Sequence, residues 1–176
     1  RASEVETLGR LFLDTRQHCQ TQLSGLQLVI PTASPERREQ LEAILGDYPD
    51  LPVTLLDGQS LTAMAAANVV LLSSGTSALE AMLLKKPMVV SYKMGACTFA
   101  IVSRMAKVSF VALPNLLAGE ELVPELLQDA ATVENLSEAV LALFSNPEKV
   151  IALEQRFSTL HESLRHGGSE AAADAL

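Results

Sequence analysis

The residues in this chain best suited to chemistry are Ser73-Ser74-Gly75-Thr76-Ser77-Ala78-Leu79-Glu80. They sit where a short apolar run, Val69–Ser73, gives way to a helical pattern. A helix N-terminus offers free backbone N–H groups and a partial positive charge, which suits it to phosphate. Gly75 lets the backbone come close to a ligand, and the Ser and Thr hydroxyls add donors. Glu80, about one turn into the helix, is placed to accept hydrogen bonds from sugar hydroxyls. The string is neither GxxxxGK(S/T) nor GxGxxG, so ATP hydrolysis and NAD binding gain no support. The same residues also read as a strand end, an N-cap and a surface glutamate with no ligand, and the residues alone leave both possibilities open.

Other polar residues give weaker signals. Asp57 ends an apolar run and resembles a base, but a turn or helix-capping role suits Asp57-Gly58 better. Asn115 follows Pro114 and, taken alone, is a turn residue. His18, His161 and His166 fall on helical patterns without the paired spacing of metal ligands. Cys19 and Cys97 are far apart with no CxxC or Cys/His spacing, so neither a zinc site nor a disulfide framework is indicated. Both read as reduced, partly buried thiols. No DxD-like pair is placed to hold a metal diphosphate, and no motif calls for a metal or cofactor.

The elements that position the junction follow from patterning. Ser3 with Glu6 resembles a capping box and opens a helix to about Ser24, with Leu8, Leu11, Phe12 and Leu23 along it. Leu26–Pro31, Leu51–Leu56, Val69–Ser73 and Met88–Ser91 are short apolar runs flanked by turn residues, and read as buried strands. Helices are expected at Pro35–Leu45, Leu61–Ala66 and Ser77–Leu84, and strands alternating with helices imply a parallel sheet covered on both faces. The fold class is therefore α/β, a doubly wound parallel sheet. Farther on, Phe110–Leu113 reads as a further strand and Pro114–Gly119 as a loop. Thr132–Phe144 and Pro147–His166 read as helices, with Asn146 as a cap and Gly167 as a stop. Val150, Phe157, Leu160 and Leu164 make an apolar stripe for docking on the domain, a partner domain or a subunit. Thr98–Met105 (TFAIVSRM) gathers Phe99, Ile101, Val102 and Met105 near Lys93, Arg104 and Lys107. A core helix is the default there, with a surface resting on lipid or another subunit as the alternative. The expected organisation is a Rossmann-like unit over residues 1–130 and a helical segment over 131–176.

Composition sets outer bounds. The 176 residues make one domain, or one domain with a helical appendage, and 48% apolar content supports a substantial core. No run reaches the ~20 apolar residues of a membrane span. A net charge of −8 argues against a nucleic-acid surface. The start at Arg1, without a leader pattern, reads as a fragment.

Two blocks, SSGTSALEAMLLKKPMVVSYKM and FVALPNLLAGEELVPELLQ, together with RASEVETL, RREQ and LLDG upstream, resemble the lipid-A-disaccharide synthase family. The similarity spans nearly the whole chain, and LPNLLAG is its most specific piece. The resemblance implies the C-terminal, nucleotide-sugar-binding half of a GT-B glycosyltransferase, built of two Rossmann-like halves with the active site between them. The implied reaction joins UDP-2,3-diacylglucosamine to 2,3-diacylglucosamine 1-phosphate. The acceptor's 6-hydroxyl attacks the anomeric carbon directly with inversion, and UDP leaves. Arg1 then matches the arginine of the family's GSR motif, here without its Gly-Ser, and would pair with the diphosphate. Ser74, Gly75 and Thr76 would cradle the nucleotide, Glu80 would hold the ribose hydroxyls and Asn115 would contact the donor.

The resemblance places the acceptor-activating carboxylate in the other half, so these residues would bind nucleotide without turning over alone. It also implies peripheral work at the cytoplasmic face of the inner membrane, and a dimer exchanging C-terminal segments. An epimerase of the UDP-N-acetylglucosamine 2-epimerase type shares the fold and the glycine-glutamate junction, but LPNLLAG weighs against it. A non-catalytic UDP-sugar-binding module is the remaining rival.

Overall fold

In the computed structural model, backbone is described for residues 2–73, 75–93 and 110–174, and side chains for 5–73, 75–93 and 110–165. The elements in chain order are α1 (Ala2–Gln20), β1 (Leu28–Thr32), α2 (Pro35–Leu45), β2 (Val53–Asp57), α3 (Ser60–Ala66), β3 (Val70–Ser73), α4 (Thr76–Leu83) and β4 (Met88–Tyr92). After residues 94–109 come α5 (Leu113–Ala118), β5 (Glu125–Leu127), a 3-10 turn (Gln128–Ala130), α6 (Val133–Ser145) and α7 (Pro147–Asp174).

Among the described residues every strand pairing is parallel. β1 pairs with β2, and β4 lies between β3 and β5, so the strands form two hydrogen-bonded sets. Side chains alternate between faces along a strand, and β4 carries apolar residues in both directions. Met88 and Val90 enter a cluster with Val70, Leu72, Ala78, Ala81, Met82, Leu153 and Phe157. Val89 points the other way, into a cluster with Leu8, Leu11, Leu136, Val140 and Leu143. Helices α4 and α7 thus cover one face of this sheet and α1 and α6 the other, the doubly wound parallel α/β arrangement that the alternating pattern implies. Helix α3 touches both β1 and α4, linking the two strand sets.

Local signals account for several helix ends. Ser34 accepts from Arg37 N–H and Pro35 opens α2. Thr132 accepts from Asn135 N–H at the start of α6. Asn146 ends α6, and its Oδ1 accepts from Lys149 N–H at 3.0 Å to begin α7. Between α1 and α6, Ser137 Oγ donates to Thr15 O at 3.5 Å, while Cys19 Sγ donates to Ser137 O at 3.9 Å. Burial pushes the Cys19 thiol above its ordinary range, only partly offset by its contact with Ser137. It is a free thiol, as expected; Cys97 lies outside the described residues.

The structure departs from the patterning in several places, beginning with α1, which starts at Ala2 so that Ser3 lies within the helix. Phe110–Leu113 is not a strand and Pro114–Gly119 is not a loop: Leu113–Ala118 is a helix, with its proline in the first turn and Gly119 in the left-handed region at φ 70°. The strand of this region is β5, whose three residues give too short a pattern to read. Gly167 does not stop α7, which continues to Asp174. A glycine costs a helix only about 1 kcal/mol relative to alanine, and Glu170–Ala173 are good helix formers. In the α7 stripe, Val150 and Leu160 are half-buried and Phe157 is fully buried, but Leu164 is exposed. The TFAIVSRM segment lies outside the described residues.

Among the described residues Phe157 is the largest fully buried side chain, so α7 is part of the core that covers β4. Phe157→Ala is expected to destabilise the fold by about 3–5 kcal/mol, measured by urea unfolding. A loss of less than about 0.5 kcal/mol, the scale of ordinary surface substitutions, would show that α7 does not dock here.

Candidate functional site

The β3–α4 junction follows from the sheet. In β3, Val70 and Leu72 are buried against α4, and the chain must reverse after Ser73 to lay that helix back on the strand. Gly75 makes the turn at φ 145°, ψ −159°, a conformation that side-chain-bearing residues rarely adopt. The space where a Cβ would stand is open: among the described residues, chain neighbours aside, no atom lies within 4 Å. Glycine is therefore demanded by torsion, and the backbone there is accessible from outside.

Gly75, Thr76 and Ser77 are exposed, whereas Ala78 and Met82 anchor α4 in the core. Ala78 N–H donates to Gly75 O at 3.2 Å, and among the described residues no side chain caps the helix. Among the described residues, nothing accepts from the N–H groups of Thr76 and Ser77. Two first-turn donors and the positive end of the helix dipole thus face outward at the C-terminal edge of a parallel sheet. Glu80, one turn on, is half-buried, and its carboxylate makes no hydrogen bond or ion pair with another described residue. Such an arrangement can hold an anionic group on backbone N–H donors and accept from hydroxyls at Glu80. Arg1 and Ser74 lie outside the described residues.

Asn115 is placed differently. It is fully buried, and its amide is occupied on both sides. Nδ2 donates to Val123 O at 2.9 Å and to Glu125 Oε1 at 2.8 Å. Oδ1 accepts from Leu122 N–H at 2.8 Å and Val123 N–H at 2.9 Å. Four hydrogen bonds match the capacity of a carboxamide. These bonds fasten α5 to the segment leading into β5, and α5 packs on α4.

Glu125 was not singled out by sequence reasoning, and it completes this arrangement. Its carboxylate accepts from Val111 N–H and Ala112 N–H, each at 2.8 Å, besides Asn115. In a capping box the third helical residue reaches back to the N-cap N–H. Here Asn115 holds that third position and Glu125, ten residues downstream, does the reaching. The only signal was the presence of Glu125 in the VPELLQ string.

At the end of the β1–β2 pair, Asp57 is held rather than poised as a base. Its Oδ1 accepts from Arg38 Nη1 at 2.9 Å and Thr32 Oγ1 at 3.1 Å, while Arg38 Nε also donates to Glu42 at 2.9 Å. Arg38 comes from the RREQ string. His18 and His161 lie on helices, as expected, with His161 Nδ1 2.6 Å from Lys85 Nζ; the His166 side chain lies outside the described residues. Among the described residues, no three His, Cys, Asp or Glu side chains gather closely enough to hold a metal ion.

A family profile described as lipid-A-disaccharide synthetase matches residues 1–176. Lipid-A-disaccharide synthases of Alcanivorax borkumensis and Cellvibrio japonicus are each 51% identical over 176 residues, all of this chain and 46% of theirs. A third, from Pseudomonas aeruginosa, is 46% identical over the same span, again 46% of its length. The chain spans about half the length of the curated relatives it matches.

The Arg38 hydrogen bond, then that of Thr32, holds the Asp57 carboxyl below the ordinary aspartate value of 3.8. Because the folded-state value is depressed, any stability from this contact is present above the ordinary value and lost as pH falls through the depressed one. An NMR titration should place the Asp57 midpoint below 3.8, and Arg38→Ala should move it upward. An unmoved midpoint would remove Arg38 as the cause.

Proposed function

Because the chain belongs to the lipid-A-disaccharide synthetase family, we propose that it is the part of such an enzyme that binds the nucleotide-sugar donor. The full reaction would transfer 2,3-diacylglucosamine from UDP to 2,3-diacylglucosamine 1-phosphate, releasing UDP and the disaccharide precursor of lipid A. The observation that carries this proposal is the open, uncapped N-terminus of α4 beside Gly75, inside a whole-length family match.

In this proposal the diphosphate sits on the backbone N–H groups at Gly75, Thr76 and Ser77, with Ser74 completing the cradle. These fixed donors, aimed where negative charge grows as UDP departs, need no reorganisation during the reaction. Arg1 adds a guanidinium to the same phosphates. Glu80 accepts from the ribose hydroxyls. Asn115 shapes the site from the interior. The base that takes the proton of the acceptor's 6-hydroxyl comes from the rest of the enzyme, so the cleft is completed by a second Rossmann-like half.

No described helix is long and apolar enough to cross a membrane. For acylated substrates, peripheral contact with the cytoplasmic face of the inner membrane completes the proposal. A dimer with exchanged C-terminal segments is part of the same family expectation.

Calorimetric titration of the full-length protein with UDP tests the donor site. Glu80→Ala should weaken UDP roughly tenfold to a hundredfold, the scale of losing hydrogen bonds to a charged group. Gly75→Ala should weaken it too, because the methyl group strains the turn and stands over the cradle. A folded wild type that binds no UDP overturns the donor-site proposal. Wild-type affinity in Glu80→Ala overturns the ribose assignment alone.

A further inference from the structure

Glu125 lies outside the Gly75–Glu80 junction, at the start of β5, yet three donors converge on its carboxylate. Val111 N–H, Ala112 N–H and Asn115 Nδ2 each approach to 2.8 Å. The first two are at the entry to α5, a helix of six residues with no cap among its own side chains. So short a helix is not stable in isolation; outside contacts must hold it. Its buried side supplies Pro114 and Asn115, both fully enclosed, and Asn115 joins Glu125 to the backbone of Leu122 and Val123. Val123, also fully buried, belongs to the same cluster as Ala78, Ala81 and Met82 of α4.

A chain of contacts therefore runs from Glu125, through the start of α5 and Asn115, to the helix whose N-terminus forms the cradle. Because α5 packs on both α4 and α7, its position limits how far α4 can shift against the sheet. Misplacing a site by about 1 Å is enough to cost much of its function.

We propose that Glu125 is a positioning residue for the α4 N-terminus, acting with Asn115 as a single polar unit that fixes α5 against α4. This rests on the assignment of the Gly75–Glu80 junction as the nucleotide site. Asn115, in this account, tunes the donor site without touching the donor. The carboxylate is required because it only accepts: three N–H groups face it, and a carboxamide would turn its own NH₂ toward one of them. An acceptor replaced by a donor sets two donors against each other at the half-buried Glu125 side chain.

The test uses the full-length protein, with UDP affinity by calorimetry and folding by circular dichroism. At a temperature where the variant is fully folded, Glu125→Gln is expected to weaken UDP about tenfold, the scale of one lost hydrogen bond to a charged group. Glu125→Asp, which keeps the acceptor on a shorter stem, should recover part of that loss. Asn115→Ala should weaken UDP as well, and Glu125→Gln combined with Asn115→Ala should be no weaker than the worse single variant, as expected of one unit. Val140→Ala, in the opposite cluster, should lower the melting midpoint and leave UDP affinity unchanged.

If Glu125→Gln melts earlier but binds UDP as the wild type does, the residue is only structural and the proposal falls. Additive losses in the double variant overturn the single-unit claim. Should Glu125→Gln fail to fold, Glu125→Asp decides: weakened binding in the folded protein supports the proposal and wild-type binding overturns it. A wild type that binds no UDP overturns the nucleotide site itself, and this proposal with it.

Discussion

A parallel strand with apolar side chains on both faces can leave neither face to water. In β4, Met88, Val89 and Val90 are all fully buried, and they alternate between two separate hydrophobic clusters. Each face then needs its own helices, and the chain supplies α4 and α7 for one, α1 and α6 for the other. Because the strands are parallel, each must be followed by a crossover, and the β3–α4 crossover turns at Gly75. The exposed start of α4 is thus a by-product of covering β4. That exposed junction needs no element beyond those the core already requires.

Polar contacts refine this frame where apolar packing is indifferent to geometry. The Asn115–Glu125 pair is half-enclosed and fully hydrogen-bonded, so it fixes one arrangement of α5 where apolar contacts would tolerate several. The Thr32–Asp57–Arg38 contacts join β1, β2 and α2 in the same manner, but at the surface, where Asp57 is largely exposed. Exposed ion pairs of that kind contribute little to stability. Their effect is to orient the strand end.

Much of the fold could be read in advance because its signals are local. Val70–Ser73 and Met88–Tyr92 are short, apolar and bounded by turn residues, and Ser34, Thr132 and Asn146 cap helices within three residues of themselves. What escaped was non-local. Leu113–Ala118 is helical because a carboxylate ten residues beyond Asn115 caps it, and no window over LPNLLAG contains that information. β5 escaped because it is three residues long and starts with that same glutamate. At the site, Gly75 announced itself through its residue type and place, and its φ of 145° gives the reason. The side-chain orientation of Asn115 could not be read, since asparagine in a turn and asparagine buried with four partners look the same in sequence.

The central claim is that a diphosphate rests on the α4 N-terminus. A crystal structure of the full-length protein with UDP tests it most directly. The account predicts phosphate oxygens within roughly 2.7–3.2 Å of backbone N–H groups at Thr76 and Ser77, with the ribose hydroxyls on the Glu80 carboxylate. A well-ordered UDP whose phosphates lie away from Gly75–Ser77 would contradict it.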